Sequence, residues 1–234
     1  MGDVIVPITI SPENMVSCSI AIDADADDYG LAWQGEWVAG PFSVGDVVYK
    51  GIVLYESQTD VNTDDPEIGV GLDVPTWIEL GWVNRWRIFD EFIGGSSASA
   101  TDKMVYVLSI SDADYVAFYD LLANELTVEI LSADDDVVWT YNFDLLDASL
   151  DFGDWWEYYY APYPDSKRDL IVELGWLVNA DLGEKVRITL DGSGEVACGM
   201  CIPGLGINLG TTQWENGDGQ NLLKVRLQSL SEVD

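Results

Sequence analysis

The sequence predicts an all-β protein in which a small aromatic-rich β module joins a β-sandwich or jelly-roll-like module. Apolar residues alternate with polar ones in short runs, the period of a half-buried strand and not of a helix. Gly, Pro and Asp separate the runs, as tight turns require. Between Trp33 and Gly81, the rings of Trp37, Phe42, Tyr49, Tyr55 and Trp77 supply enough bulk to fill a very small core or to leave one face showing.

From the N-terminus, Val4 to Ile10 and Val16 to Ile22 read as strands, and Ser11-Pro12-Glu13-Asn14 turns the chain between them. They form an N-terminal segment, residues 1–32, expected at a sheet edge or in assembly contacts. Asp23, Asp25 and Asp27 open like a calcium loop. The EF-hand pattern then wants Gly where Asp28 stands and Glu where Gln34 stands. The reading is a solvated acidic turn, and no metal site is assigned. Residues 33–93 form the aromatic module. Gly45-Asp46 turns into a strand Val47 to Tyr49, and Lys50-Gly51 turns back into Ile52 to Tyr55. The acidic loop Thr59 to Pro75 belongs on the surface. Asn84-Arg85-Trp86-Arg87-Ile88-Phe89-Asp90 closes the module, with Arg85 and Arg87 expected to satisfy local carboxylates and fix the junction.

Residues 94–234 form the second module, entered through a linker from Gly94 to Thr101. Met104 to Ile110, Leu126 to Leu131, Val137 to Tyr141, Leu170 to Leu174, Val186 to Leu190 and Glu195 to Met200 read as strands. Asp191-Gly192-Ser193-Gly194 reads as a hairpin turn. Tyr115, Phe118, Tyr119 and Leu122 recur at helical spacing and predict a short helix. As a strand, the run Trp155-Trp156-Glu157-Tyr158-Tyr159-Tyr160 places Trp155, Glu157 and Tyr159 on one face and Trp156, Tyr158 and Tyr160 on the other. One face is then core, and the other is an intersubunit contact or a platform for sugars. Leu222 to Leu230 alternates as an amphipathic strand able to add to a neighbour's sheet.

Composition narrows the function. The 234 residues carry 10 basic and 42 acidic side chains, a net charge of −32, and no histidine. Such a chain is repelled by phosphate backbones and anionic lipid, which argues against nucleic-acid or membrane-surface partners. Solubility in a saline setting accounts for the carboxylates, ahead of a calcium requirement. No apolar run is long enough for a transmembrane helix. The N-terminus lacks a signal-peptide pattern, and Val6 stands where a myristoylation signal wants Ser or Thr. Synthesis in the cytosol, without export by a cleaved signal, is the expectation.

Catalytic chemistry is sparse. Without histidine there is no Ser-His-Asp or Cys-His machinery and no histidine-based zinc site. Three cysteines complete neither a disulfide framework nor a four-cysteine cage. Cys198-Gly199-Met200-Cys201 lacks the strand-to-helix context of a redox motif, and reads as buried small side chains. Gly204, Gly206 and Gly210 do not have dinucleotide-binding spacing. With so many acids no carboxylate pair can be nominated for glycoside hydrolysis. No cofactor and no catalytic residue are assigned.

Two resemblances follow from these residues. Trp37, Gly45-Asp46-Val47-Val48, Tyr55, Pro66 and Trp77 resemble small chitin-binding-type carbohydrate modules. Here Phe42 stands where Tyr is usual, and the loop before Trp77 is long. The resemblance implies that Trp37, Tyr55 and Trp77 are the carbohydrate-binding candidates. More widely, Trp33 to Thr212 is similar to a family of tailed-phage virion proteins. The junction Asn84, Arg85, Trp86, Arg87, Phe89 and Asp90 is the most specific part, supported by the Trp155–Tyr160 run and by Leu209-Gly210-Thr211-Thr212. It implies a place in the virion: a tail protein, baseplate or fibre-associated, made in the host cytoplasm, homo-oligomeric and in contact with other virion proteins. With the missing catalytic machinery and the aromatic β pattern, the expectation is a non-enzymatic protein that binds a host-surface glycan. A ligand-free connector and a polysaccharide-degrading tail enzyme are the alternatives.

Overall fold

The structure, a computed structural model, describes residues 3–90, 97–110, 113–145, 155–160, 168–175 and 185–208. Among these residues the fold is all-β, built from an eight-stranded and a four-stranded sheet. The larger sheet is organised around one long strand, β12 (Lys185–Asn208). Its first part lies between β7 (Ala98–Leu108) and β9 (Glu125–Leu131). Beyond these stand β2 (Met15–Cys18) on one side and β10 (Val137–Asp144) on the other, giving the order β10-β9-β12-β7-β2. The pairing register aligns three apolar rows across the strands. They run Trp139–Ile130–Val186–Leu108–Met15, Tyr141–Val128–Ile188–Tyr106–Cys18 and Phe143–Leu126–Leu190–Met104. Residues on β9, β12 and β7 in these rows are buried. The alternate residues, such as Glu129 with Arg187 and Thr127 with Thr189, occupy the other face.

The second part of β12 pairs with β8 (Tyr115–Leu122), which pairs in turn with β11 (Leu170–Glu173). Its last residues pair with β1 (Asp3–Pro7). Between the two parts, Asp191-Gly192-Ser193-Gly194 is a bulge within a continuous strand and not the hairpin turn read from sequence. A Cβ on Gly192 would meet Val196 Cγ1 at 2.7 Å, and Gly194 has φ 118°. The glycines therefore serve close approach and a left-handed kink, not a chain reversal. On β7, Asp102 answers with φ 62°, and its carboxylate accepts the Gly194 N–H at 2.8 Å. Two adjacent strands thus kink at one level, the way a sheet turns a corner.

The predicted helix at Tyr115–Leu122 is strand β8. Its helical-looking spacing arises because Val116, Ala117 and Phe118 are buried in succession, as in a strand covered on both faces. Ala98 to Thr101, read as linker, opens β7. The strand read over Leu222–Leu230 lies outside the described residues.

The smaller sheet has the order β3-β4-β5-β6, from β3 (Trp33–Glu36), β4 (Val47–Lys50), β5 (Val53–Ser57) and β6 (Trp77–Trp82). Gly51 makes the β4–β5 turn at φ 64°. Val47, Tyr49 and Leu54 join the main core together with Ile188, Tyr106 and Phe118. Val48, Tyr55 and Trp77 form a separate cluster on the other face, closed by Trp37, Phe42, Val53 and Val70. The contiguous apolar run Val47-Val48-Tyr49 is what a strand buried on both faces needs.

Gly206 lies where a Cβ would come within 2.1 Å of Tyr115 Cε2, whereas one on Gly71 would meet nothing closer than 3.6 Å. Gly206→Ala is expected to cost about 2–3 kcal/mol by overpacking. Gly71→Ala is expected to stay within about 0.5 kcal/mol. Urea denaturation of the two variants gives the comparison.

Candidate functional site

The junction residues are tied by hydrogen bonds to three separate parts of the described chain. They form the helical turn α3 (Asn84–Arg87), preceded by Val83 in extended conformation. The Asp25 carboxylate accepts the Asn84 backbone N–H at 2.9 Å and Arg87 Nη2 at 2.6 Å. It therefore caps the turn from a segment about sixty residues earlier in the chain. Arg87 Nε donates to the Trp82 carbonyl at 3.0 Å. The Asn84 side chain continues the β ladder: Ser99 N–H donates to its Oδ1 at 2.8 Å, and its Nδ2 donates to Ser99 O at 3.0 Å. Trp86, Phe89 and Tyr106 pack edge to face, with centroids 6.1 and 5.7 Å apart. Burial raises the Asp25 carboxyl above the ordinary carboxylate value, against the lowering by the Asn84 N–H and by Arg87. Asp25, read from sequence as part of a solvated acidic turn, is a buried ion-pair member.

The carbohydrate-binding candidates divide. Trp77 is fully buried and Tyr55 nearly so. The Trp77 indole N–H donates to Asp64 O at 2.9 Å, and Phe42 meets the ring edge-on at 5.4 Å. Neither Tyr55 nor Trp77 presents a ring face to a ligand. Their bulk is the module's core. Trp37 is half-buried, with Lys50 Nζ 5.2 Å from its ring centroid. Lys50 is itself held by both Asp65 oxygens at 2.7 Å and by Glu67 at 2.8 Å.

The aromatic run is also placed differently from its sequence reading. Trp155–Tyr160 is a helix, α4, not a strand. The four-residue spacing of Trp155 and Tyr159 stacks their rings at 5.9 Å and 19°. Trp155, Trp156 and Tyr159 are exposed. Tyr158 and Tyr160 lie in the same helix.

Sequence reasoning missed two further aromatic sets. Trp139 on β10 is 51% exposed and lies 6.2 Å from the Tyr141 ring, on the same face of the strand. Its row continues into the buried Ile130 and Val186, so a rigid sheet holds a half-open ring. The signal lies in the sequence: Trp139 and Tyr141 alternate within the strand read over Val137 to Tyr141, and Phe143 continues the alternation beyond it. Tyr29, Trp33 and Tyr49 form a second set, stacked in sequence at 6.2 and 5.9 Å. That stack binds the helical turn α1 (Ala26–Tyr29) to the small sheet.

Arg87 meets a carboxylate as expected, and Arg85 does not. Lys50, Arg87, Lys103, Arg168, Lys185 and Arg187 each pair with an acid. Among the described residues Arg85 is the one cation that pairs with none. The C-x-x-C thiols lie buried and unpaired in β12, and burial pushes Cys198 up to about 12. A cleft of ≈ 230 Å³ beside the junction is lined by Pro7, Ile8, Trp82, Phe89, Asp90 and Cys201, among others.

No family profile matches the chain, and no curated protein does. Solved structures similar in part include the following three. A fucose binding module from Streptococcus pneumoniae aligns with TM-score 0.34 and 15% identity, over 52% of this chain and 83% of its own. The lectin domain of lectinolysin complexed with Lewis B antigen aligns with TM-score 0.33 and 13% identity, over 50% and 80%. A mutant of that lectin binding domain, complexed with Lewis b, aligns with TM-score 0.34 and 14% identity, over 51% and 81%.

Removing one partner of the buried junction pair by Asp25→Ala is expected to cost about 3–5 kcal/mol. Lys103→Ala, from an exposed pair, is expected to cost under about 1 kcal/mol. Chemical denaturation measures both. Lys50 holds the Asp65 carboxyl below its ordinary value. The stabilisation from that clamp is present above the unfolded carboxylate pKa and is lost as pH falls through the lowered value. In an NMR titration Lys50→Met should move the Asp65 midpoint upward.

Proposed function

We propose that this protein is a non-enzymatic recognition component of a tailed-phage virion, in the tail as a baseplate or fibre-associated part, binding host-surface glycans through exposed aromatic rings. The motif resemblance of Trp33 to Thr212 supports the virion setting. The observation that carries the binding is Trp139, half-open beside Tyr141 on β10, in a cross-strand row whose next members, Ile130 and Val186, are buried. A ring fixed in this way offers an apolar face to the C–H side of a sugar at little cost in side-chain ordering. The exposed Trp155–Tyr159 stack supports the same reading. Homo-oligomerisation is supported by β1, whose pairing among the described residues is to β12 alone. There Val4 and Val6 face Ile207 and Leu205 across the ladder, and all four are exposed.

A ligand-free virion connector is the second reading, and the burial of Tyr55 and Trp77 favours it. A glycan array with the recombinant protein separates the two. Recognition predicts selective binding that Trp139→Ala or Trp155→Ala weakens by about tenfold or more, with the melting temperature unchanged. A silent array supports the connector. Antibody labelling of the particle by electron microscopy tests the tail location.

A further inference from the structure

The cleft beside the junction has a role that neither the junction bonds nor the exposed rings explain. Three segments converge on it: the end of β1 with the residues after it, the exit of the small sheet at Trp82, Phe89 and Asp90, and residues 201–203 of β12. Phe89 and Cys201 are buried in it, Trp82 and Asp90 are half-buried, and Thr9 is exposed at its mouth. Its walls are fixed by the fold. Ile8 N–H donates to Pro203 O at 2.8 Å, and Cys201 N–H donates to Ile88 O at 2.6 Å. Phe89 is held edge to face between Trp86 and Tyr106, and the Trp82 carbonyl accepts Arg87 Nε. The recess is therefore preformed where the two sheets meet, a common position for ligand sites. Its volume of ≈ 230 Å³ falls below the ~300–1,000 Å³ of sites for drug-sized ligands. One ring or one short chain of atoms fits it.

The lining selects the charge of the occupant. Most of it is aliphatic or aromatic, and Asp90 is its one charged residue. The net charge of −32 adds a field of the same sign, which repels anions and concentrates cations. A bare calcium ion wants six to eight oxygen ligands, and a single carboxylate among apolar walls does not supply them. A positive head on a carbon body uses both features of the recess. Apolar walls bury the body, and an indole attracts an ammonium group beyond what a carboxylate alone provides. We infer that this cleft binds an organic ammonium group, its carbon body against Ile8, Trp82 and Pro203 and its charge beside Asp90. The cleft shares no lining residue with β10, so its occupancy is independent of sugar binding at Trp139. Two sources carry the chemistry, an alkylammonium such as the end of a lysine side chain and the ring of an amino sugar.

The probes are butylammonium chloride, galactosamine, butanol and galactose, added to the full chain labelled with nitrogen-15 at mildly acidic pH, where both amines are charged. The resonances followed are the Trp82 indole N–H and the backbone N–H groups of Ile8, Phe89 and Ile202. Saturable movement confined to these, produced by an amine and not by its neutral counterpart, is the expected result. Added sodium chloride should weaken it, since every charge involved attracts the ligand. Asp90→Asn should weaken binding by about tenfold or more, and Trp139→Ala should leave it unchanged. Circular dichroism and melting temperature establish that each variant is folded. Movement with butylammonium alone upholds the ammonium site and assigns it to an alkyl chain, and movement with galactosamine extends it to amino sugars. Equal movement with butanol overturns the inference, because the cleft is then merely apolar. Movement that never saturates and spreads over the acidic surface overturns it too, as does no movement with either amine. Undiminished binding in folded Asp90→Asn has the same consequence.

Discussion

The Asp25–Arg87 pair is the constraint on which the arrangement of the two sheets depends. Asp25 sits in the segment between the strands of the large sheet and β3 of the small one. Arg87 sits where the chain leaves the small sheet for β7. Joining them pins both connections of the small sheet at one point. The pair is buried, so its own net stabilisation is small, because desolvation offsets attraction. Its value is geometric. Two charges that cannot be left apart in an apolar setting define a single seating for the small sheet, and the Asn84–Ser99 ladder extends that seating into β7.

The same seating explains why the aromatic module does not expose its aromatics. A four-stranded sheet with one face on a larger core can bury Val47, Tyr49 and Leu54 there. It then has a second apolar face to cover with material of its own. Trp77 and Tyr55 fill that face, Phe42 closes it, and the Lys50 clamp lies over Trp37. A sheet this small has no surplus rings. Exposed rings occur instead on elements that larger cores already support, as with Trp139 at the margin of the five-strand half.

How far these features could be read from sequence follows from the reach of each signal. Period-two alternation is local, and it located β9 and β10 to within a few residues, while the Gly45-Asp46 and Lys50-Gly51 turns located β4 and β5. It misplaced β8, because three consecutive buried residues erase the alternation and leave aromatic spacings that imitate a helix. It misread Trp155–Tyr160 in the opposite direction, since bulky aromatics favour strands and the decisive Trp155–Tyr159 stack forms only in a helix. The 191–194 glycines signal a departure from extended geometry without saying whether the chain reverses or bends. That choice belongs to Asp102 and the neighbouring strand, about ninety residues away. The junction residues were identifiable as a group, but nothing local distinguishes Arg85 from Arg87. Asp25 makes that distinction from far along the chain.

In so acidic a chain the scarce cations carry more information than the abundant carboxylates. Acids are numerous enough to approach one another by chance, so an acidic cluster says little. A cation chooses among many partners, and its choice marks a place where two elements must meet. Lys50 ties β4 to the helical turn α2 (Pro66–Gly69) and the residue before it. Lys185 and Arg187 tie β12 to the β9–β10 turn and to β9, and Lys103 ties β7 to the β12 bulge. Each lies across a strand pairing or a turn that must hold its register. Arg85 stands at such a place too, between β2, β7 and the small sheet, and there a thioether takes the position a carboxylate holds elsewhere. With 42 acids available, a shortage of partners does not explain that exception, and the local geometry that keeps the acids away has to.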